Sequence, residues 1–259
     1  AQTTIQIIQP IAAAGKLETV RRLAQRVNEI MTYAVNSGLI DANPCAGISK
    51  VFQKPEKNHM PTLTPNQLPE LMNKLAKASI SLQTRLLIEW SLHTLVRPSE
   101  AAGATWKEID FENKLWRIPA ERMKKRKPHT IPLPAQAVST LRALHGITGH
   151  LTHVFPGRDD RARPMAVESF RQALHSLGWS GKYSPHATRT TGSTRLNEMG
   201  FPSDWIERQL AHAERNKVRA AYHRAEYLDD RRKLLQWLAD FYDSQRGSNV
   251  LPVNFNRAG

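Results

Sequence analysis

The sequence predicts a mainly α-helical chain with one small antiparallel β-sheet, an α+β fold in which a large domain follows a smaller helical piece. Three observations predict it. Apolar residues recur at helical spacing through most of the chain, as at Leu17, Val20, Leu23, Val27, Ile30, Met31 and Ala34. Between Ile109 and Leu133 the period changes to that of strands. A stretch bearing Pro, Gly, Lys and Asn, without apolar periodicity, separates two helical regions at 46–62. The 259 residues suffice for one substantial core and a smaller unit.

Residues 1–15 are apolar and Ile-rich, and a longer helix is expected from Leu17 to Ser37, closed by Gly38. Two helices are a thin core for an independent domain, and the chain opens without an initiating Met. Residues 1–45 are therefore expected to be part of a domain whose N-terminal portion is absent. Arg22 and Arg26 lie one turn apart and suit either phosphate contact or a solvated helix face. The linker, 46–62, is basic and suits either a phosphate backbone or plain solvation.

The large domain, 63–245, opens at Thr64-Pro65-Asn66-Gln67, a capping-box pattern leading a helix to about Lys77. A strongly apolar helix from Leu82 to about Thr94 delivers the chain to Arg97, which Pro98 biases away from helical geometry. Arg97 at that junction is either functional or simply paired with Glu100. Leu115 to Ile118 and His129 to Leu133 read as paired strands after the turn at Glu112-Asn113-Lys114. Their connection holds Lys124, Lys125, Arg126 and Lys127, a charge run that is either solvated or presented to DNA. Helices follow at about 135–144 and 167–177. Ser184 and Pro185 read as the N-cap and first residue of a helix that ends at Gly200. Another starts at Pro202 and Ser203, with Trp205, Ile206, Gln209 and Leu210 inward and His212 at its far end. Tyr222 sits in an Ala-rich turn. A last helix, 228 to about 242, turns Leu234, Leu235, Trp237, Leu238 and Phe241 to the core, and the tail, 246–259, suits docking on a neighbouring subunit.

Lys and Arg number 37 against 23 Asp and Glu, a net charge of +14, which implies a polyanionic partner, with nucleic acid the first candidate. A membrane surface is the alternative, but no 18-residue apolar run or lipidation signal is present. The single cysteine, Cys45, excludes an internal disulfide and a Cys-rich zinc site, in keeping with a reducing cytoplasm. His145, His150 and His153 cluster in sequence, but no nearby carboxylate or thiol completes a tetrahedral set, so no metal is expected.

Residues 183–227 gather His186, Arg189, His212 and Tyr222, the parts of a phosphoryl-transfer site. The order H-x-x-R, a helix ending in histidine, then a tyrosine about ten residues on, resembles the tyrosine recombinases, specifically the prophage-type integrases. TLVRPSEAAGATWKEID resembles the family's first arginine motif, with Arg97 as that arginine, and ERMKKRKPHTIPL is similar to its lysine hairpin. One departure is visible: many members have Gly-His where this chain has Ala211-His212, a small-for-small change. The resemblance implies a tyrosine recombinase catalytic domain preceded by part of a core-binding domain. It also implies site-specific cleavage and rejoining of double-stranded DNA at attachment sites by a homo-tetramer, with accessory DNA-bending proteins as possible partners, in a bacterial cytoplasm at the nucleoid.

The chemistry agrees with those residue types. A phenol has a pKa near ~10, and the phosphorane-like transition state gathers negative charge. Arg97 and Arg189 would supply permanent positive charge and paired donors. His186 would accept the phenolic proton, Lys124 would protonate the departing 5′-oxygen, and His212 would donate to a phosphate oxygen. By resemblance Tyr222 is the nucleophile, with Lys124 the best match for the lysine and Lys125 and Lys127 its rivals. Neither ATP nor another cofactor is expected, because the ester conserves the bond energy. The rival readings are a type IB topoisomerase and a catalytically silent DNA-binding protein.

Overall fold

A computed structural model describes residues 1–56, 63–64, 67–212 and 226–246. Tyr222, residues 57–62 of the linker, Pro65, Asn66 and the tail from 247 lie outside them. The chain divides into two compact units, Ala1–His59 and Met60–Gly259.

In the first unit, α1 (Gln2–Ala13) and α2 (Leu17–Asn36) pack through Ile8, Val20 and Ala24. Gly38 takes a positive φ of 69°, and its amide and that of Leu39 return to the Val35 and Ala34 carbonyls, the pair of hydrogen bonds that closes a helix at glycine. Ordered packing continues through a 3₁₀ turn at Ile48–Val51, because Cys45, Ile48 and Phe52 complete this small core. Arg22 and Arg26 pair with Glu18 and Glu29 on the exposed helix surface.

The second unit is organised on α4 (Leu82–Thr94), whose N-cap Ser81 accepts from the Thr84 amide at 3.2 Å. Eight of its thirteen residues are buried, so it is covered on most sides rather than amphipathic. Around it pack α5 (Pro98–Ala102), α6 (Ala135–Thr148), α7 (Val167–Ser176), α8 (Ala187–Glu198) and α10 (Leu228–Ser244), while α3 (Leu68–Lys77) adds Leu71, Met72 and Leu75 to the same core. Trp90 of α4 meets Trp116 at 4.9 Å between ring centroids. The sheet has three antiparallel strands in the order β1 (Ile109–Asp110), β2 (Leu115–Ile118), β3 (His129–Pro132), with Ile118 opposite His129. That register makes 119–128 the hairpin connection.

Several boundaries differ from the sequence reading; α6 runs on to Thr148 rather than ending near 144. The Ser184 hydroxyl accepts from the Ala187 amide at 3.3 Å, but α8 begins at Ala187 with His186, not Ser184, at the N-cap, so His186 stands in the turn before the helix. The Thr64 amide bonds Gln67 Oε1 at 3.1 Å as half of a capping box, while α3 itself begins at Leu68. Among the described residues no helix is long and apolar enough to cross a membrane.

Candidate active site

The site begins where α4 ends. Leu95 closes that helix in the left-handed conformation, φ 53°, a geometry that costs an L-residue about 1–2 kcal/mol. The turn releases Val96 and Arg97 from the helix. Glu100, almost fully buried, then accepts from the Arg97 amide at 3.0 Å and from its guanidinium at 2.8 Å. The Glu100 pairing read as an alternative to function is therefore present, and it fixes where Arg97 sits.

Arg189, on the first turn of α8, is buried. It donates to the Leu95 carbonyl at 2.5 Å and the Leu210 carbonyl at 2.7 Å, the C-terminal caps of α4 and of α9 (Ser203–Gln209). Two helix ends thus turn their negative dipole poles on one guanidinium. Burial, and then the charge of Arg97, press its pKa down to about 10, still far above neutrality.

His212 follows the same logic at the end of α9. The Ala211 amide bonds the Arg208 carbonyl at 3.1 Å and the His212 amide bonds the Glu207 carbonyl at 3.0 Å, which is a Schellman closure. Ala211 occupies its left-handed position, φ 50°. The alanine is therefore not equivalent to a glycine there, because it stands where a Cβ is strained. The closure brings His212 Nδ1 to 2.7 Å from Glu207 Oε2, and Arg189 Nη2 lies 3.3 Å from Nε2.

His186 is exposed at the start of α8. Partial loss of hydration, then the charges of Arg189, Arg97, Lys124 and His212, hold its pKa below the ordinary imidazole value. The lowered pKa favours the neutral ring, the form able to take a proton. Arg189, Arg97, Lys124 and His212 thus all lie near enough to His186 to act on its charge.

Lys124 and Arg126 share a cleft with Arg97, Ser99 and Glu100. The hairpin is anchored two residues before Lys124, where Arg122 pairs with the largely buried Glu108 and donates to the Glu100 carbonyl at 2.6 Å. Lys125, Arg126 and Lys127 are exposed at the tip.

Behind the site lies a hub that sequence reasoning missed. Arg231 of α10 is fully buried, donating to Gln209 Oε1 at 3.0 Å, the Thr130 carbonyl at 2.7 Å and the Glu226 carbonyl at 3.2 Å. Gln209 in turn donates to the Thr94 carbonyl at 2.7 Å, and His129 Nε2 donates to the Gln209 carbonyl at 3.1 Å. One guanidinium thus ties the hairpin strand, the helix before His212 and the chain at Glu226 together. Arg208 also pairs with Glu226. Burial, then Arg208, lowers the Arg231 pKa to about 9. Arg122 and Glu207 were missed as well. No group of three or more His, Cys, Asp or Glu suited to a metal occurs among the described residues.

The helix-rich fold with its small antiparallel sheet is that of a tyrosine recombinase catalytic domain. Residues 61–228 match the phage integrase family and residues 1–51 the phage integrase central domain, and the chain belongs to the phage integrase family. It is 45% identical over 257 residues to the prophage integrase IntA of Escherichia coli (strain K12), covering 99% of this chain and 62% of that protein. The integrase of Enterobacteria phage P4 is 39% identical over 259 residues, covering 94% of this chain and 59% of that protein. The chain thus spans about three fifths of these relatives. A lambda integrase dimer bound to a COC' core site shares the fold, with TM-score 0.65 at 16% identity, over 87% of this chain and 64% of that one. So does the Tn1549 transposon integrase in complex with circular intermediate DNA, with TM-score 0.61 at 17% identity, over 85% of this chain and 80% of that one.

Proposed function

We propose that this chain cleaves and rejoins double-stranded DNA through a 3′-phosphotyrosine bond, as a site-specific recombinase of the prophage integrase kind. The observation that carries the reading is the environment of His186, where the charges of Arg189, Arg97, Lys124 and His212 all disfavour the protonated imidazole. Such a cluster matches a transition state that places excess negative charge on phosphate oxygens.

In this reading Arg97 and Arg189 grip the scissile phosphate. The Tyr222 oxygen attacks phosphorus as its proton passes to His186, and the P–O5′ bond breaks as Lys124 gives a proton to the departing oxygen. His212 donates to a phosphate oxygen. Attack by a 5′-hydroxyl of another strand reverses the sequence and exchanges partners. Lys125, Arg126 and Lys127 follow the DNA backbone from the hairpin tip. Residues 1–45 serve as part of a DNA-binding core-binding domain, 46–62 as its basic linker, 63–245 as the catalytic domain and 246–259 as the tail. The active form is a tetramer on paired attachment sites, assisted by DNA-bending proteins at the bacterial nucleoid. A lambda integrase tetramer bound to a Holliday junction, similar in fold, supports that assembly. Family membership favours exchange between duplexes over topoisomerase-like religation of one strand.

The test incubates the 259-residue chain with a randomised pool of nicked suicide duplexes and recovers adducts that survive SDS. Recovery of covalent adducts sharing a sequence supports the proposal. DNA binding without any adduct contradicts it and favours a silent DNA-binding protein.

A further inference from the structure

We infer that Glu207 is a positioning residue for His212, committing the imidazole to the tautomer protonated on Nδ1 and aiming Nε2 at the phosphate. The inference deepens the function proposed above and rests on it for the phosphate.

The local fold makes the pair. In a Schellman closure the third residue from the helix end and the second residue past the cap are brought side by side, usually as an apolar contact. Here those positions are Glu207 and His212, and the contact is a carboxylate on an imidazole, 2.7 Å between Oε2 and Nδ1. An ionised carboxylate only accepts, so Nδ1 carries the proton. The other face agrees independently. Arg189 Nη2 lies 3.3 Å from Nε2, and a guanidinium only donates, so Nε2 of the DNA-free ring is the unprotonated nitrogen. Both neighbours therefore select one tautomer and one ring orientation.

The consequence is specific to the reaction. A ring whose Nδ1–H is held by Glu207 can place a second proton only on Nε2, the atom beside Arg189. The resulting imidazolium points its free N–H at the phosphate that Arg189 binds, with the Glu207 charge at its back. Both side chains are about half exposed, 57% for Glu207 and 44% for His212, so the pair adds little to stability and its value lies in orientation.

The experiment observes His212 directly by two-bond ¹H–¹⁵N correlation on the full chain labelled in histidine, with His212→Gln assigning the resonance. The neutral ring of the wild type is expected to show the Nδ1-protonated pattern, Glu207→Ala to lose it, and Glu207→Gln, whose amide oxygen still accepts, to retain it. A wild-type ring protonated on Nε2, or a Glu207→Ala spectrum unchanged at His212, overturns the inference. If Glu207→Ala does not fold, Glu207→Asp withdraws the carboxylate by one methylene and must shift the tautomer mixture toward Nε2–H. Cleavage is measured alongside: Glu207→Ala should slow adduct formation by roughly ten- to a hundredfold at unchanged DNA affinity, with Glu207→Gln partly restoring it. Because the tautomer is read without DNA, a chain that never cleaves sinks the functional reading while the spectrum decides Glu207 on its own.

Discussion

Lowering the pH from 7.5 to 5 should destabilise the second unit by about 4 kcal/mol through two buried histidines. His93, on α4, is fully buried, and burial followed by the charge of Arg246 presses its pKa from 6.5 to about 3. His129, on β3, is pressed to about 3 by burial and by Arg231, against the opposing bond to the Gln209 carbonyl. Each folded pKa lies below its unfolded value, so between pH 6.5 and 3 the unfolded chain binds more protons and stability falls as pH falls. In that window each ring loses ~1.4 kcal/mol for every step of one in pH, about 2 kcal/mol by pH 5, before most carboxylates titrate. His186, also lowered, acts in the same direction. Urea unfolding at pH 7.5, 6.5, 5.5 and 5 measures the loss, provided the m-value is constant. Neither ring nitrogen of His93 has a partner among the described residues, so His93→Leu breaks no bond and should roughly halve the loss. An acid loss identical in wild type and His93→Leu would refute the reasoning.

Other substitutions test the remaining geometry. Arg231→Lys keeps a buried charge but reaches fewer of the three acceptors, so it should cost about 3–5 kcal/mol in urea unfolding. Arg231→Met removes the desolvation penalty and should cost less, and the reverse order would contradict the hub. Ala211→Gly relieves the left-handed strain at φ 50° and should stabilise by about 0.5–1 kcal/mol, where any destabilisation counts against the closure. Lys124→Ala should slow cleavage of an ordinary phosphodiester far more than of one with a 5′-bridging sulfur, whose departure needs no proton. Equal slowing of both substrates would remove Lys124 from the acid role.

The sequence was most legible where local signals and burial agree. The apolar residues Leu86, Leu87, Ile88, Trp90 and Leu92 set α4 at the limits read from the residues, and the strand period around Leu115 and His129 located the lysine hairpin. Arg231 was missed because DDRRK reads as surface charge. Its spacing to Leu234, Leu235 and Leu238 nevertheless puts it on the buried stripe, a signal that periodicity carries when residue type is ignored. Glu207 and Arg122 act through closures whose geometry depends on the left-handed Ala211 and on the packing of Glu108. The first has no local sequence signature, since the left-handed position at Ala211 is not a glycine.

The central claim is a covalent bond from DNA to one tyrosine. Peptide mapping of the adduct trapped on a suicide duplex is expected to place the nucleotide on Tyr222. Tyr222→Phe should bind DNA normally and yield no adduct, and Tyr227→Phe, altered beside the start of α10, should still yield one. An adduct formed by Tyr222→Phe, or a nucleotide mapped to Tyr227, would contradict the account.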